Sequence, residues 1–206
     1  LAEGTVENMT DRRKVVVTGG AGYVGSVVTT HLLMNGFDVV VVDRLAAGGE
    51  ALLGFTGRAR FRLVTGDVRD QAVLDEALPG AAAVVHLAAI VGEPACIGDG
   101  DGARAVNLGG TQALLEGVAR HGIPRFVFVS TCSNYGVSRP DVLADEECPL
   151  NPLGIYAKSK VEAELLALGP GPTGSAIVLR LGTICGLSPR MRFDLVINGI
   201  VRDAVL

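Results

Sequence analysis

The sequence predicts an α/β fold built on a doubly wound parallel sheet, and three observations carry that prediction. Short valine-rich runs recur along the chain, as in strands buried on both faces of a sheet. Segments of helical spacing separate them, so strand and helix alternate. The first run leads into Thr18-Gly19-Gly20-Ala21-Gly22-Tyr23-Val24-Gly25, a glycine turn between a strand and a helix.

The elements follow in order. Lys14 to Val17 is the first strand, and Val27, Val28, Leu32 and Leu33 give the next helix its apolar stripe. Asp38 to Val42 is the second strand and ends at Asp43. Phe61 to Val64 is the third, followed by Gly66-Asp67. Gln71 to Leu78 fits a short helix that stops at Pro79-Gly80, and Ala83 to His86 is the fourth strand. Gly98-Asp99-Gly100-Asp101-Gly102 reads as a flexible, solvated loop without the Glu that a calcium loop needs. Ala103 to His121 reads as one long helix closed by Gly122 and Pro124. Arg125 to Ser130 is the fifth strand. Tyr156 to Leu168 is a helix ended by Gly169-Pro170-Gly171-Pro172, and Ala176 to Arg180 is the sixth strand. Right-handed crossovers place ligands at the carboxyl ends of these strands.

Composition narrows the function. The 206 residues are 49% hydrophobic and 4% aromatic with no Trp, which predicts one domain with a Val, Leu and Ala core. A net charge of −4 without a basic cluster excludes nucleic acid and anionic membranes as main partners. The apolar stretch Ala81 to Val91 is too short to span a bilayer. No signal-peptide pattern is visible, and Cys96, Cys132, Cys148 and Cys185 lack Cys-x-x-Cys spacing. They read as reduced thiols of a cytoplasmic protein, and the three scattered histidines predict no metal site.

The chemistry-bearing residues fall at strand ends. Gly19, Gly22 and Gly25 allow a tight turn and a close backbone approach to a pyrophosphate, which the helix N-terminus attracts. Asp43, 18 residues after Gly25 at the end of the second strand, is placed to accept from adenosine ribose hydroxyls. Tyr156 and Lys160 stand four apart and share a helix face. A neighbouring ammonium favours the phenolate, so Lys160 and the positive charge of an oxidised nicotinamide are together expected to lower the Tyr156 pKa and make it a base. Ser130-Thr131-Cys132-Ser133 follows the fifth strand, where a hydroxyl serves either a reacting oxygen or a turn cap.

With these motifs the chain resembles the extended short-chain dehydrogenase/reductase superfamily, in particular its NAD-dependent nucleotide-sugar epimerase/dehydratase group. The match runs from about Lys14 to Arg192. It takes in the glycine turn, Asp43, Gly66-Asp67-Val68, His86-Leu87-Ala88-Ala89, Asn107-x-x-Gly110-Thr111, Val129-Ser130-Thr131, Tyr135-Gly136, Tyr156 with Lys160, and Leu179-Arg180. The resemblance implies a Rossmann domain over residues 11–185 and the start of a substrate-binding region over 186–206. It implies that Gly19, Gly22, Tyr23, Val24 and Gly25 meet the NAD pyrophosphate. Asp43 and Arg44 would lie at the adenosine ribose, Asp67 and Val68 at the adenine, and Leu87, Ala88 and Ala89 along the cofactor. Asn107 would brace the active-site strands or cap a helix start. Thr131, Tyr156 and Lys160 would be catalytic, with Lys160 also holding ribose. Asp43 repels a ribose 2′-phosphate and so favours NAD over NADP, although the adjacent Arg44 could receive that phosphate.

Dehydratases of the group usually carry Asp-Glu after the catalytic Thr, and decarboxylases a Glu. Cys132-Ser133 stands there instead. This favours epimerisation through a transient 4-keto sugar. A ketoreductase or a dehydratase is the alternative, and a dinucleotide-binding regulatory module is the non-enzymatic one. Cys132 and Ser133 would contact substrate, and Arg190 and Arg192 would neutralise the diphosphate of a nucleotide sugar, or form a solvated loop with an Arg–Asp pair. Thr183 stands near where many members place an Asn for that diphosphate. Members often pair as homodimers through the two long helices. They also continue into a small substrate domain, so the chain is expected to be either a piece of a longer protein or a protein lacking most of its sugar pocket.

Overall fold

In the computed structural model, which describes residues 14–137, 143–170 and 175–206, the valine runs become strands whose alternate side chains are buried on opposite faces. The strands are β1 (Lys14–Thr18), β2 (Asp38–Asp43), β3 (Phe61–Thr65), β4 (Ala83–His86), β5 (Arg125–Thr131) and β6 (Ser175–Leu181). They form one parallel sheet in the order β3-β2-β1-β4-β5-β6. Val15, Val17, Val39 and Val41 pack on one face with Leu52 and the apolar side of α1 (Tyr23–Met34). Val16, Val40, Val42 and Val84 pack on the other with Leu74 of α2 (Gln71–Ala77), Leu114 of α5 (Gly110–Arg120) and Ala163 of α6 (Ile155–Leu168). The winding reverses between β1 and β4, which opens a crevice at their carboxyl ends.

Four segments differ from the sequence expectation. The stretch expected as a loop continues α3 (Glu93–Gly98) into α4 (Gly100–Arg104), because the Asp99 carboxylate accepts from Gly102 N at 2.9 Å and caps the new turn. The long helix is interrupted by a π turn, Ala105–Gly109, where Thr111 Oγ1 donates to Asn107 O at 2.6 Å. A 3₁₀ turn spans Glu50–Phe55, and α7 (Val196–Val205) follows β6. The Gly171-Pro172 helix stop lies outside the described residues. Among the described residues no helix is long and apolar enough to cross a membrane, and no cluster of His, Cys, Asp or Glu is arranged to hold a metal.

Candidate active site

β1 ends at Thr18, and the chain turns at Gly19 with φ +73°, a left-handed conformation that favours glycine. A Cβ there would also stand 2.7 Å from Ala88 N. At Gly25 a Cβ would run into the Gly19 carbonyl oxygen, so this first turn of α1 packs directly on the loop before it. The N-cap residue of α1, Gly22, has no side chain to cap it, and among the described residues no acid sits in its first turn and no side chain accepts from its leading amides. Its leading amides therefore remain for an anion in the cleft. Asp43 fixes the turn from β2: Oδ2 accepts from Ala21 N at 3.0 Å and Oδ1 from Leu45 N at 2.8 Å. Each carboxylate oxygen has further acceptor capacity for a hydroxyl. Asp67 is held below the usual carboxylate range chiefly by its hydrogen bonds from the Arg69 side chain, with the Arg44 charge a smaller cause.

A buried chain of hydrogen bonds ties this turn to the helix of Tyr156. Thr111 Oγ1 gives its proton to Asn107 O, so His86 Nε2 must donate to Thr111 Oγ1, 3.0 Å away. His86 Nδ1 is then the acceptor for Thr18 Oγ1 at 2.6 Å, and Thr18 Oγ1 accepts from Ala88 N at 3.3 Å. Burial pushes the His86 pKa down to about 3, so the ring is neutral and one tautomer is fixed. The Asn107 side chain clasps Ile90 at both N (2.7 Å) and O (3.0 Å) and donates to Ser159 Oγ at 3.2 Å. Ser159 Oγ in turn donates to Tyr156 O at 2.7 Å. Asn107 lies in the π turn rather than at a helix start.

Tyr156 and Lys160 share one face of α6, and Thr131 ends β5 opposite them. Thr131 Oγ1 accepts from Ser133 N at 3.1 Å and caps the 3₁₀ turn Cys132–Tyr135, while it stays on the cleft wall. Burial pushes the Tyr156 phenol up to about 12, with Cys96 and Cys132 adding to the rise and Arg192 opposing it. Lys160 by itself does not lower it, which corrects the Lys160 part of the expectation. Lys160 is only 3% exposed. Its ammonium lies 4.0 Å from the Phe128 ring centroid. Burial depresses its own pKa to about 7, against a pull upward from Glu164.

The Lys160 shift sets a pH dependence. The unfolded chain holds this proton to about 10.5 and the folded protein to about 7, so between those values the unfolded state binds more protons. The Lys160 contribution to stability therefore rises with pH across that window. Thermal unfolding of Lys160→Met should lose this rise; an unchanged pH profile would contradict the assigned environment.

Behind Lys160, Glu164 receives the Arg180 guanidinium at 2.8 and 3.0 Å and Asn134 Nδ2 at 2.7 Å. Arg180 also donates to Tyr135 OH at 3.1 Å. The segment after β6 folds back on α1. Tyr23 OH donates to Gly186 O at 2.6 Å, Ser188 Oγ donates to Tyr23 O at 2.7 Å, and Asn198 Nδ2 donates to Tyr23 OH at 3.0 Å. This brings Arg190 and Arg192 to the cleft. Arg192 pairs with Asp194, as the solvated-loop reading expected, whereas Arg190 Nε is buried without a partner among the described residues.

One cleft of about 1080 Å³ is lined by the glycine turn, Asp43, Arg44, Asp67, Val68, Leu87 to Ala89, Thr131 to Ser133, Tyr156, Lys160, Arg190 and Arg192. That volume lies just above the range of ordinary ligand pockets, about 300–1,000 Å³. Of the expected site residues only Asn107 stands behind the wall instead of on it. The sequence reading missed Glu93, which lines the same cleft, and Glu164. Glu164 was detectable as the next residue on the stripe at intervals of four that holds Tyr156 and Lys160.

Residues 15–204 match the NAD dependent epimerase/dehydratase family. A dTDP-glucose 4,6-dehydratase of Streptomyces niveus is 37% identical over 163 residues, covering 75% of this chain and 48% of that enzyme. A UDP-glucose 4-epimerase of Streptomyces lividans is 38% identical over 180 residues, covering 83% of this chain and 50% of that enzyme. The solved structure of MoeE5 in complex with UDP-glucose and NAD aligns with a TM-score of 0.77 at 32% identity, over 92% of this chain and 60% of that one. The chain spans about half the length of the curated relatives it matches. On its fold, its motifs and this match, it belongs to the NAD-dependent epimerase/dehydratase family.

Proposed function

We propose that this chain is the cofactor-binding and catalytic part of an NAD-dependent enzyme that inverts C4 of a nucleotide-diphosphate sugar through a transient 4-keto sugar. The observation that carries the reading is the convergence of Thr131, Tyr156 and Lys160 on the cleft that the glycine turn opens. The uncapped N-terminus of α1, the glycine approach at Gly19 and Gly25, and the Asp43 carboxylate suit a dinucleotide pyrophosphate and ribose. Bound NAD supplies a hydride acceptor, and later donor, at its nicotinamide. Tyr156 takes the C4 hydroxyl proton and returns it after the keto sugar has turned over. Thr131 shares a hydrogen bond with the same oxygen. Lys160, on the same helix face as Tyr156, holds ribose hydroxyls. Cys132 and Ser133 offer no carboxylate for eliminating water, which favours epimerisation over dehydration. Arg190, whose buried Nε has no partner among the described residues, and Arg192, on exchanging Asp194 for it, neutralise the substrate diphosphate.

Residues 11–185 act as the cofactor domain and 186–206 as the start of the substrate region. The protein works in the cytoplasm as a homodimer, for which the exposed Leu165 and Leu166 on α6 and the neighbouring Val161 offer an apolar face. Two experiments bear on the cofactor. Mass spectrometry of small molecules released from the denatured protein should find NAD with a nucleotide sugar; NADP would overturn the role given to Asp43. Gly25→Ala should weaken NAD binding in calorimetry by at least tenfold, about 1.4 kcal/mol, and unchanged affinity would remove the glycine turn from the cofactor site.

A further inference from the structure

We propose that Glu93 is a positioning residue for Tyr156: its carboxylate reaches across from α3, caps the catalytic helix and fixes the backbone that carries the phenol. The inference rests on the reading of Tyr156 as the proton carrier. Glu93 Oε2 accepts from Ile155 N and Oε1 from Tyr156 N, each at 3.2 Å. Helices α2 and α4 take their caps locally, from Asp70 and Asp99. At α6 the N-cap residue is Gly154, which has no side chain to offer, and the cap comes from 62 residues away in sequence. A Cβ at Gly154 would run into the Glu93 carboxylate, so glycine at that position is what admits it.

The same residue is held from its other side. Ser159 Oγ donates to Tyr156 O, and Asn107 connects Ser159 to both backbone groups of Ile90. Ile90 lies in the short loop after β4, which turns at Gly92 with φ +92° and leads straight into α3 at Glu93. The N–H and the C=O of Tyr156 are thus both fastened to that loop and the helix start it leads into, one through Glu93 and one through Ser159 and Asn107. A loop that also lines the cleft is in this way made part of the support for the reacting phenol. Displacement of a reacting group by about 1 Å costs on the order of 10²-fold in rate.

The test compares Glu93→Gln and Glu93→Ala in the full chain loaded with NAD. Gln keeps one acceptor oxygen and Ala keeps none. With ¹⁵N-tyrosine labelling the three tyrosines give three amide signals. The Tyr156 signal should shift in both variants while those of Tyr23 and Tyr135 hold. On whichever nucleotide sugar the wild type turns over, kcat should fall about 10-fold in Gln and about 100-fold in Ala, with KM and NAD affinity within about twofold. Formate, filling the vacated cap, should restore part of the rate of Glu93→Ala. An unmoved Tyr156 amide overturns the proposal, as does a loss of kcat that tracks a general loss of NAD affinity and Tm. A wild type that turns over no nucleotide sugar defeats the proposed function instead, and the amide signal still decides whether Glu93 holds Tyr156.

Discussion

Tyr156→Phe should reduce turnover by about 10³-fold while NAD binding stays within about twofold, because only the phenolic O–H is lost and general acid–base groups supply about 10²–10⁴-fold. The size of the effect follows from the environment. In the free protein burial holds the phenol at about 12. At pH 8 about one molecule in 10⁴ then carries the phenolate, and each unit of lowering gains tenfold. The cleft must therefore gain positive charge when loaded, beyond Arg192 and a Lys160 that is itself half-neutral near pH 7. The chain has three tyrosines and no Trp, so the difference in phenolate absorbance between wild type and Tyr156→Phe isolates this one titration. That difference should show no ionisation at pH 10 without NAD. It should show ionisation at lower pH with oxidised NAD bound. Turnover in Tyr156→Phe equal to that of the wild type would remove Tyr156 from the reaction.

Arg180→Met should destabilise the protein by about 3–5 kcal/mol, the usual cost of leaving one member of a buried ion pair alone. Glu164 is 2% exposed and, among the described residues, keeps only the Asn134 donor once the guanidinium is gone. The loss is large against a total stability of about 5–15 kcal/mol. At about 2–4 °C per kcal/mol for a chain of this size, Tm should fall by about 10 °C. The double variant Glu164→Leu/Arg180→Met removes both charges and should recover most of the loss. Denaturant unfolding of the four proteins gives the coupling energy directly. A single Arg180→Met cost below about 1 kcal/mol, typical of an exposed pair, would show that the ion pair does not hold α6 against β6.

The sheet was legible because its strands are buried on both faces. Val15 through Val17 and Val39 through Val42 are apolar without interruption, and their shortness and β-branched side chains mark them as strands rather than buried helix. The meeting of the candidate residues on one cleft was legible for a related reason: glycine turn, Asp43, Thr131 and Tyr156 with Lys160 all fall at strand ends or on one helix face, where local spacing fixes direction. What depended on distant partners was not. Glu93 has no local sign of its bond to Tyr156, and the Asp99 cap turned a glycine-rich stretch into helix. The Tyr156 pKa was misjudged because four-residue spacing shows that Lys160 is near, but not that Lys160 is buried over Phe128 and poor in charge. The tautomer of His86 required Thr111, Asn107 and Thr18 in one frame.

The central claim is that this cleft moves hydride to and from C4 of a nucleotide sugar. UDP- and dTDP-hexoses deuterated at C4, incubated with the NAD-loaded protein and followed by NMR, test it most directly. The account predicts the C4 epimer with deuterium still at C4 and no net consumption of NAD. Failure to convert any of these sugars while NAD is bound, or an epimer whose deuterium has been lost to water, would contradict it.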